Sequence, residues 1–429
     1  MKSSKSLFAM GLSVLPLFAV ALSAPKPFGD PPSPRLLWSF RPGEIRGSYS
    51  NPILGPFDLS PDGSTLAIEF TAEGGPDALG VWVAEWDIAA RRIVMQRRVQ
   101  GPTTIKENGP AQQGLSDLRF TPDGSKVVAQ TGRELTVLNG SNLAPVYTVP
   151  LLGGMSRAPR SVISRFAISG DGKWLAVLST VPKWGDCAPS DVRLFHLETG
   201  KSAAAWELPQ ACAGSIALSP DGTQLLLSHF SVGWPRDVDI LLLDSHTGTV
   251  VRRISSGFRG PNGGAWDAQF VALGRFVAVP ASWNTRPGDS GKALKIFDSR
   301  TGDVVQELTY GRFGSHGTIA TSWNAPVVAT INYWLGLLEN MLSDDIHPKR
   351  GADLLLYRLD ESQPYCALHH LRVGDQSASL VNSYLPRLSA DATRVAIFQQ
   401  DTVSVYAVPT VERRPQTPES DPERRGGAK

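Results

Sequence analysis

Seven histidines and three cysteines are the side chains best suited to metal binding or nucleophilic chemistry in this chain. Their spacing supports neither. No His-x-His, His-Glu-x-x-His or Cys-x-x-Cys pair offers two ligands at metal spacing. No Gly-x-Ser-x-Gly elbow and no phosphate-cradling glycine loop occurs, and Asp-x-Asp appears only as Asp237-Val-Asp239. No metal, no cofactor and no catalytic residue is therefore assigned. What remains is a set of isolated polar residues, Asp186, Asp237, Asp267 and His316. They could assemble a proton-transfer or polar binding site only if the fold converges them, and taken singly each reads as a turn or capping residue before it reads as a catalyst.

The element that would converge them is a repeat. Phe57-Asp-Leu-Ser-Pro-Asp-Gly63 returns as Leu118-Arg-Phe-Thr-Pro-Asp-Gly124, Phe166-Ala-Ile-Ser-Gly-Asp-Gly172 and Ile216-Ala-Leu-Ser-Pro-Asp-Gly222. Worn copies follow around Ala272, Ser322 and Ser389. Ser-Pro-Asp-Gly is a tight turn: proline presets φ, glycine supplies positive φ, and Ser and Asp bond back to the turn backbone. Between these copies lie apolar strands followed by Glu198-Thr-Gly200, His246-Thr-Gly248 and Arg300-Thr-Gly302. The runs are short, apolar and broken by Gly or Pro, as buried strands are and helices are not. Each unit reads as four antiparallel strands, and one such sheet cannot bury both faces alone, whereas a ring of them can.

Seven copies predict an all-β, seven-bladed β-propeller of four-stranded antiparallel blades over residues 35–410. The phrase resembles WD40-like and YVTN-like propeller repeats; only Trp86-Asp87 keeps the dipeptide that names the former. The resemblance implies a fold, not an activity. The last unit lacks an outer strand, and Arg35-Leu-Leu-Trp-Ser-Phe40 is available to supply it against residues 403–408. That pairing would close the ring and remove two open edges.

In such a ring one face carries the short Pro-Asp-Gly and Thr-Gly hairpins. The other carries the length: residues 71–80, 180–190, 230–237, 282–292 and 332–353 between second and third strands, and 101–114, 153–165 and 257–267 between blades. Trp184, Trp234, Trp266, Trp283, Tyr333 and Trp334 fall there. They either plug the loops onto the blades or form a binding surface. Arginines and aspartates are mixed among them, which suits a protein or peptide partner better than a phosphate backbone. The alternatives are a propeller enzyme with its site at the central channel, lactonase-like or oxidoreductase, and carbohydrate binding through the tryptophans. Cys187 and Cys212 lie in neighbouring loops of this face and are expected to form a disulfide, the alternative being two free thiols. Cys366 reads as a small buried residue.

Lys2 and Lys5, an apolar run over residues 7–22, and small residues at Ala21 and Ser23 have the order of a secretory signal peptide over residues 1–24. The run is short for a membrane span and holds Pro16; an uncleaved anchor is the alternative. The expected location is extracytoplasmic, periplasmic or secreted, with no membrane span in the mature chain. Residues 25–34 form a Pro-rich linker, and residues 411–429 a disordered tail. Lys+Arg is 42 against 40 Asp+Glu, a net charge of +2, which excludes nucleic-acid binding by bulk electrostatics.

Overall fold

The computed structural model describes residues 31–41, 50–73, 80–100, 117–131, 134–150, 162–180, 190–208, 213–229, 237–259, 264–265, 267–286, 289–309, 314–335, 350–372, 386–399 and 402–410. The chain divides into two units, Met1–Pro31 and Pro32–Lys429, and every described strand belongs to the second. β1 is Arg35–Phe40. Blade 1 is β2 (Ser50–Leu59), β3 (Thr65–Glu73), β4 (Gly80–Asp87) and β5 (Arg92–Gln100). Blade 2 is β6 (Leu118–Phe120), β7 (Lys126–Thr131), β8 (Glu134–Asn139) and β9 (Pro145–Pro150). Blade 3 is β10 (Val162–Ile168), β11 (Trp174–Thr180), β12 (Ser190–His196) and β13 (Ser202–Leu208). Blade 4 is β14 (Ala213–Leu218), β15 (Gln224–His229), β16 (Asp237–Asp244) and β17 (Val250–Arg259). Blade 5 is β18 (Gly264–Ala265) and β19 (Gln269–Val271), which share one inner position, then β20 (Phe276–Arg286), β21 (Asp289–Asp298) and β22 (Val304–Thr309). Blade 6 is β23 (Gly314–Thr321), β24 (Val327–Leu335), β25 (Arg350–Arg358) and β26 (Cys366–Arg372). Blade 7 is β27 (Arg387–Leu388), β28 (Arg394–Gln399) and β29 (Thr402–Ala407). All neighbouring strands are antiparallel, and β1 pairs with β29 as the outer strand of blade 7, in the order β1-β29-β28-β27. The predicted ring of seven blades and its closure are what the chain forms.

The repeat phrase explains each inner turn. Ser60 Oγ donates to Asp62 at 2.6 Å, and Asp62 accepts the Ser64 amide at 3.0 Å. The same pair recurs as Ser169–Asp171, Ser219–Asp221 and Ser389–Asp391. Gly63, Gly124, Gly172 and Gly222 hold φ between 66° and 72° there. In blade 5 the turn closes from Gly274 N to Val271 O, as Gly63 N does to Ser60 O. The turn position is therefore Val271, one residue before the expected Ala272.

The core lies between blades. One apolar cluster joins Val128, Leu135 and Val137 of blade 2 to Phe166, Leu175 and Val177 of blade 3. Another joins Trp38 and Phe40 of β1 to Phe57, Ile68 and Trp86 of blade 1. A buried side chain of this size contributes about 1.5–3 kcal/mol. At the rim, an outer strand reaches the third–fourth strand turn of the following blade. Trp206 Nε1 donates to Ser245 O at 3.3 Å, Arg252 Nη1 donates to Thr301 O at 3.0 Å, and Tyr147 Oη donates to Leu197 O. The glycine of the Thr-Gly phrase leaves room for this: a Cβ at Gly248 would lie 2.5 Å from the Trp206 ring.

Several of the expected long loops are partly strand, two of them over long ladders. Residues 282–292 continue the β20–β21 ladder out to Arg286↔Asp289, and β24 and β25 pair out to Leu335↔Arg350. Alternating residues such as Ser282, Asn284 and Ser290 suit an extended ladder, so at their described positions these segments are arms of a strand pair. Among the described residues, no helix is long and apolar enough to cross a membrane.

Candidate functional site: a charge cluster on the inner strands

The inner strands carry one register position that faces the following blade. It is occupied by Asp58, Arg119, Ala167, Ala217, Gln269, Ala320 and Arg387, opposite Ala67, Val128, Ala176, Leu226, Ala278, Ala329 and Ala396 on the second strands. Two residues earlier along each strand, towards the loop-bearing face, stand Pro56, Asp117, Arg165, Ser215, Asp267 and Thr318 of blades 1 to 6. The register slips around this second position between Leu54 and Phe57, Ile163 and Arg165, Ala213 and Ser215, and His316 and Ile319. In blade 5 the slip divides β18 from β19 across residues 266–268. A bulge bends a strand and re-aims its side chain, so the fold uses the same irregularity repeatedly to present this position.

Arg387 is the centre of the cluster and is 3% exposed. Its Nη2 donates to Asp117 Oδ1 at 2.9 Å and its Nε donates to Phe57 O at 3.0 Å. Its Nε lies 3.6 Å from Asp58 Oδ1. Asp58 in turn accepts the Phe120 amide at 2.8 Å. Blade 7 is thereby tied to blades 1 and 2. Arg119 Nε lies 3.1 Å from both oxygens of Asp117, which also accepts the Leu118 amide at 3.0 Å. Across the ring, Gln269 Nε2 donates to Asp267 Oδ2 at 3.0 Å and to Ile319 O at 3.1 Å. That last contact repeats the Arg387–Phe57 one at the same register positions. Ser215 Oγ accepts the Ala268 amide at 2.9 Å.

The electrostatics spans the channel. Burial would raise Asp117, but Arg119, Arg387 and Arg165 outweigh it and hold its carboxyl below the usual range. Burial raises Asp58 despite Arg387 and Arg119, and raises Asp267 despite Arg165 and Arg119. Burial and the neighbouring Arg119 bring Arg387 down to about 10 against the pull of Asp117. Asp267 of blade 5 thus interacts with arginines of blades 2, 3 and 7. Blade 1 adds two buried acids facing blade 2: Glu69, raised well above its ordinary value by burial and then by Asp117, and Glu85, raised to about 7 by burial.

Of the expected candidates, Asp267 belongs to this cluster. Asp237 starts β16 opposite Arg259, and His316 pairs with Asn332 on β23–β24. Trp283 lies on β20 opposite Gly291, and Tyr333 and Trp334 lie on β24 opposite Ala352 and Gly351. Trp184, Asp186, Cys187, Cys212, Trp234 and Trp266 fall outside the described residues. Cys366 is buried and free, and burial pushes its thiol up to about 12, so it stays protonated. Among the described residues, no three His, Cys, Asp or Glu side chains are placed to hold a metal ion. Sequence reasoning missed Asp58, Asp117, Arg119 and Arg387, and placed Arg165 only among the mixed charges of the loop-bearing face. The signal was present: Phe-Asp-Leu and Leu-Arg-Phe carry a charge where other copies read Phe-Ala-Ile and Ile-Ala-Leu.

No family model matches the chain and no curated protein matches it. Solved structures do. The β-propeller domain of Cps50 (Swd1) from Myceliophteria thermophila is 11% identical with a TM-score of 0.55, covering 88% of this chain and 100% of that one. A chain of the mitotic checkpoint complex is 12% identical with a TM-score of 0.52, covering 92% and 100%. A chain of Kuenenia stuttgartiensis hydrazine synthase is 15% identical with a TM-score of 0.55, covering 86% and 99%. At these identities the likeness concerns the fold, and the chain is a seven-bladed β-propeller that resembles WD40-type propellers.

Proposed function

We propose that this protein is an extracytoplasmic binding module that takes a protein or peptide partner on its loop-bearing face, at the mouth of the axial channel. The observation that carries this reading is the convergence of charged inner-strand side chains from blades 2, 3, 5 and 7 towards the end from which the β20–β21 and β24–β25 arms extend. A polar, partly solvated centre surrounded by long segments rich in Trp and Tyr suits recognition of a chain with both polar and apolar side chains. The extracytoplasmic placement rests on the charged, apolar and small-residue order of residues 1–24 and on the YVTN-like form of the repeat.

The test is recovery of a cross-linked, identified partner from a periplasmic or culture-medium extract. Trp234→Ala and Trp283→Ala are compared with Val305→Ser on the exposed outer strand of blade 5. Loss in the first two and retention in the third is expected. Equal recovery by all three removes the loop-bearing face from the function.

A further inference from the structure

The cluster is balanced in charge but not in hydrogen-bond donors. Asp58, Asp117 and Asp267 face Arg119, Arg165 and Arg387. The oxygens of Asp117 are taken up by the Leu118 amide and two guanidinium groups. Asp58 is engaged by the Phe120 amide, and Asp267 by Gln269. The donors are not used up. Arg387 Nη1 is buried with no hydrogen-bond partner among the described residues. Arg119 engages Asp117 only through Nε, leaving both its terminal amino groups without a described hydrogen bond. Arg165 makes no hydrogen bond to any described residue, although Asp117 and Asp267 both feel its charge.

These members differ in access. Asp58, Asp117 and Arg387 are buried, whereas Arg119, Arg165 and Asp267 are only half-buried. The open members stand on the inner strands where these enter from the loop-bearing face. A guanidinium group with its terminal nitrogens free presents the planar fork that accepts two oxygens of one anion. The three nearby carboxylates disfavour a dianion such as phosphate more than a carboxylate.

We infer that the channel mouth is a carboxylate-binding site, which takes an Asp or Glu side chain, or the free terminus, of a peptide partner between Arg119 and Arg165. This rests on the reading of the loop-bearing face as a peptide-binding surface and names the group that it recognises. The sealed Asp58–Asp117–Arg387 set then acts as a fixed backing that holds Arg119 in place through Asp117.

The experiment uses the full chain and three pools of five-residue peptides, randomised at the outer positions. One is blocked at both ends with a central Glu, one is its central-Gln twin, and one has central Gln with a free carboxyl terminus. Binding is read by titration calorimetry, with inorganic phosphate as competitor. One charge-assisted fork predicts about tenfold tighter binding of the acid-bearing pools than of the blocked Gln pool. Arg165→Gln, at a half-buried site with no described hydrogen bond to lose, should abolish that preference in a chain that still unfolds cooperatively, its midpoint lowered by loss of the charge that Asp117 and Asp267 feel. A preference for the central-Glu pool or for the free terminus tells a side chain from a chain end. Equal binding of all pools, no retention of any acid-bearing pool, an unchanged preference in Arg165→Gln, or displacement by phosphate as effective as by peptide overturns the site. Partner recovery that still depends on Trp283 would in that case leave the binding-module reading standing.

Discussion

Arg387 of blade 7 donates from Nη2 to Asp117 of blade 2 at 2.9 Å, reaching past the whole of blade 1. Both side chains are nearly sealed from solvent. The ring is therefore joined at its centre as well as at its rim, and by the blade that contains the first and last described strands. Removing one member of a buried ion pair strands the other charge, at a cost of about 3–5 kcal/mol. Arg387→Met should lower stability by that amount in urea unfolding. Asp117→Asn should cost much less in the Arg387→Met background than alone, since the two share one interaction. Additive losses would show that the pair is not coupled.

The outer closure gives a second prediction. Phe40 is fully buried, its ring centroid lies 4.3 Å from that of Trp86, and its residue pairs with Val403. It belongs to one strand and packs on another blade, so it bridges the seam. Phe40→Ala should destabilise the propeller by about 3–5 kcal/mol. Limited proteolysis should then cut first near residues 35–41. Cleavage first at the β20–β21 arm would show that the seam is not the weak point.

Blade 1 predicts a pH dependence. Glu85 is 4% exposed, its Oε1 has no described hydrogen-bond partner, and burial raises its pKa to about 7 from 4.5. The folded state then binds the proton more tightly than the unfolded chain does. The contribution is complete below the unfolded value and is lost as pH rises through the folded one. Stability should therefore fall between pH 4.5 and about 7, the pKa values that bound the window. Glu85→Gln should flatten that limb and make the protein more stable at pH 8 by about 1–3 kcal/mol. Glu69, with neither carboxylate oxygen bonded to a described residue and its pKa raised by burial and then by Asp117, adds to the decline with the same sign. Unfolding midpoints that rise across the window in the wild type would refute it.

A single glycine tests the turn phrase. Gly222 has φ of 72°, and a Cβ there would lie 2.1 Å from Trp174 Cδ1. Trp174 belongs to the preceding blade and packs on His196 and His246, so its ring is held from both sides. Gly222→Ala combines a left-handed backbone penalty of about 1–2 kcal/mol with a steric clash. It should cost more than Gly124→Ala, whose Cβ would meet only Pro61 at 3.4 Å.

The contrast between these residues explains what could be read from sequence. Ser-Pro-Asp-Gly specifies its turn through contacts within six residues, so the blades, their number and the role of Gly222 are local information. The seam was readable because Arg35-Leu-Leu-Trp-Ser-Phe40 is a strand without a unit, and blade 7 a unit without a strand. The Arg387–Asp117 pair was not, because its partners are far apart in sequence and meet only once the ring closes. The charge at Arg119 marks an inner-strand anomaly, but that its neighbour Asp117 also takes Arg387 of blade 7 follows only from the closed ring. Asp267 was singled out for its loop position, and its raised pKa and its arginine neighbours come from packing across the channel. The extension of β20–β21 through residues 282–286 was hidden because Ser, Asn and Thr there read equally as loop.

The cysteines give the last prediction. Ser190, at the start of β12, pairs on one side with Thr180 and on the other with Leu208. Cys187 lies three residues before Ser190, and Cys212 immediately precedes Ala213 of β14. The segments that carry them therefore start from adjacent strand ends, within reach of one another. We propose that they are bridged, joining blade 3 to the entry of blade 4. Intact mass should rise by two hydrogens on reduction of the denatured protein. A link closing a loop of this size stabilises by about 3 kcal/mol, so the reduced form should unfold at lower urea. Cys187→Ser should reproduce that loss, and Cys366→Ser should leave the mass shift intact because Cys366 is free. An unchanged mass on reduction eliminates the bridge.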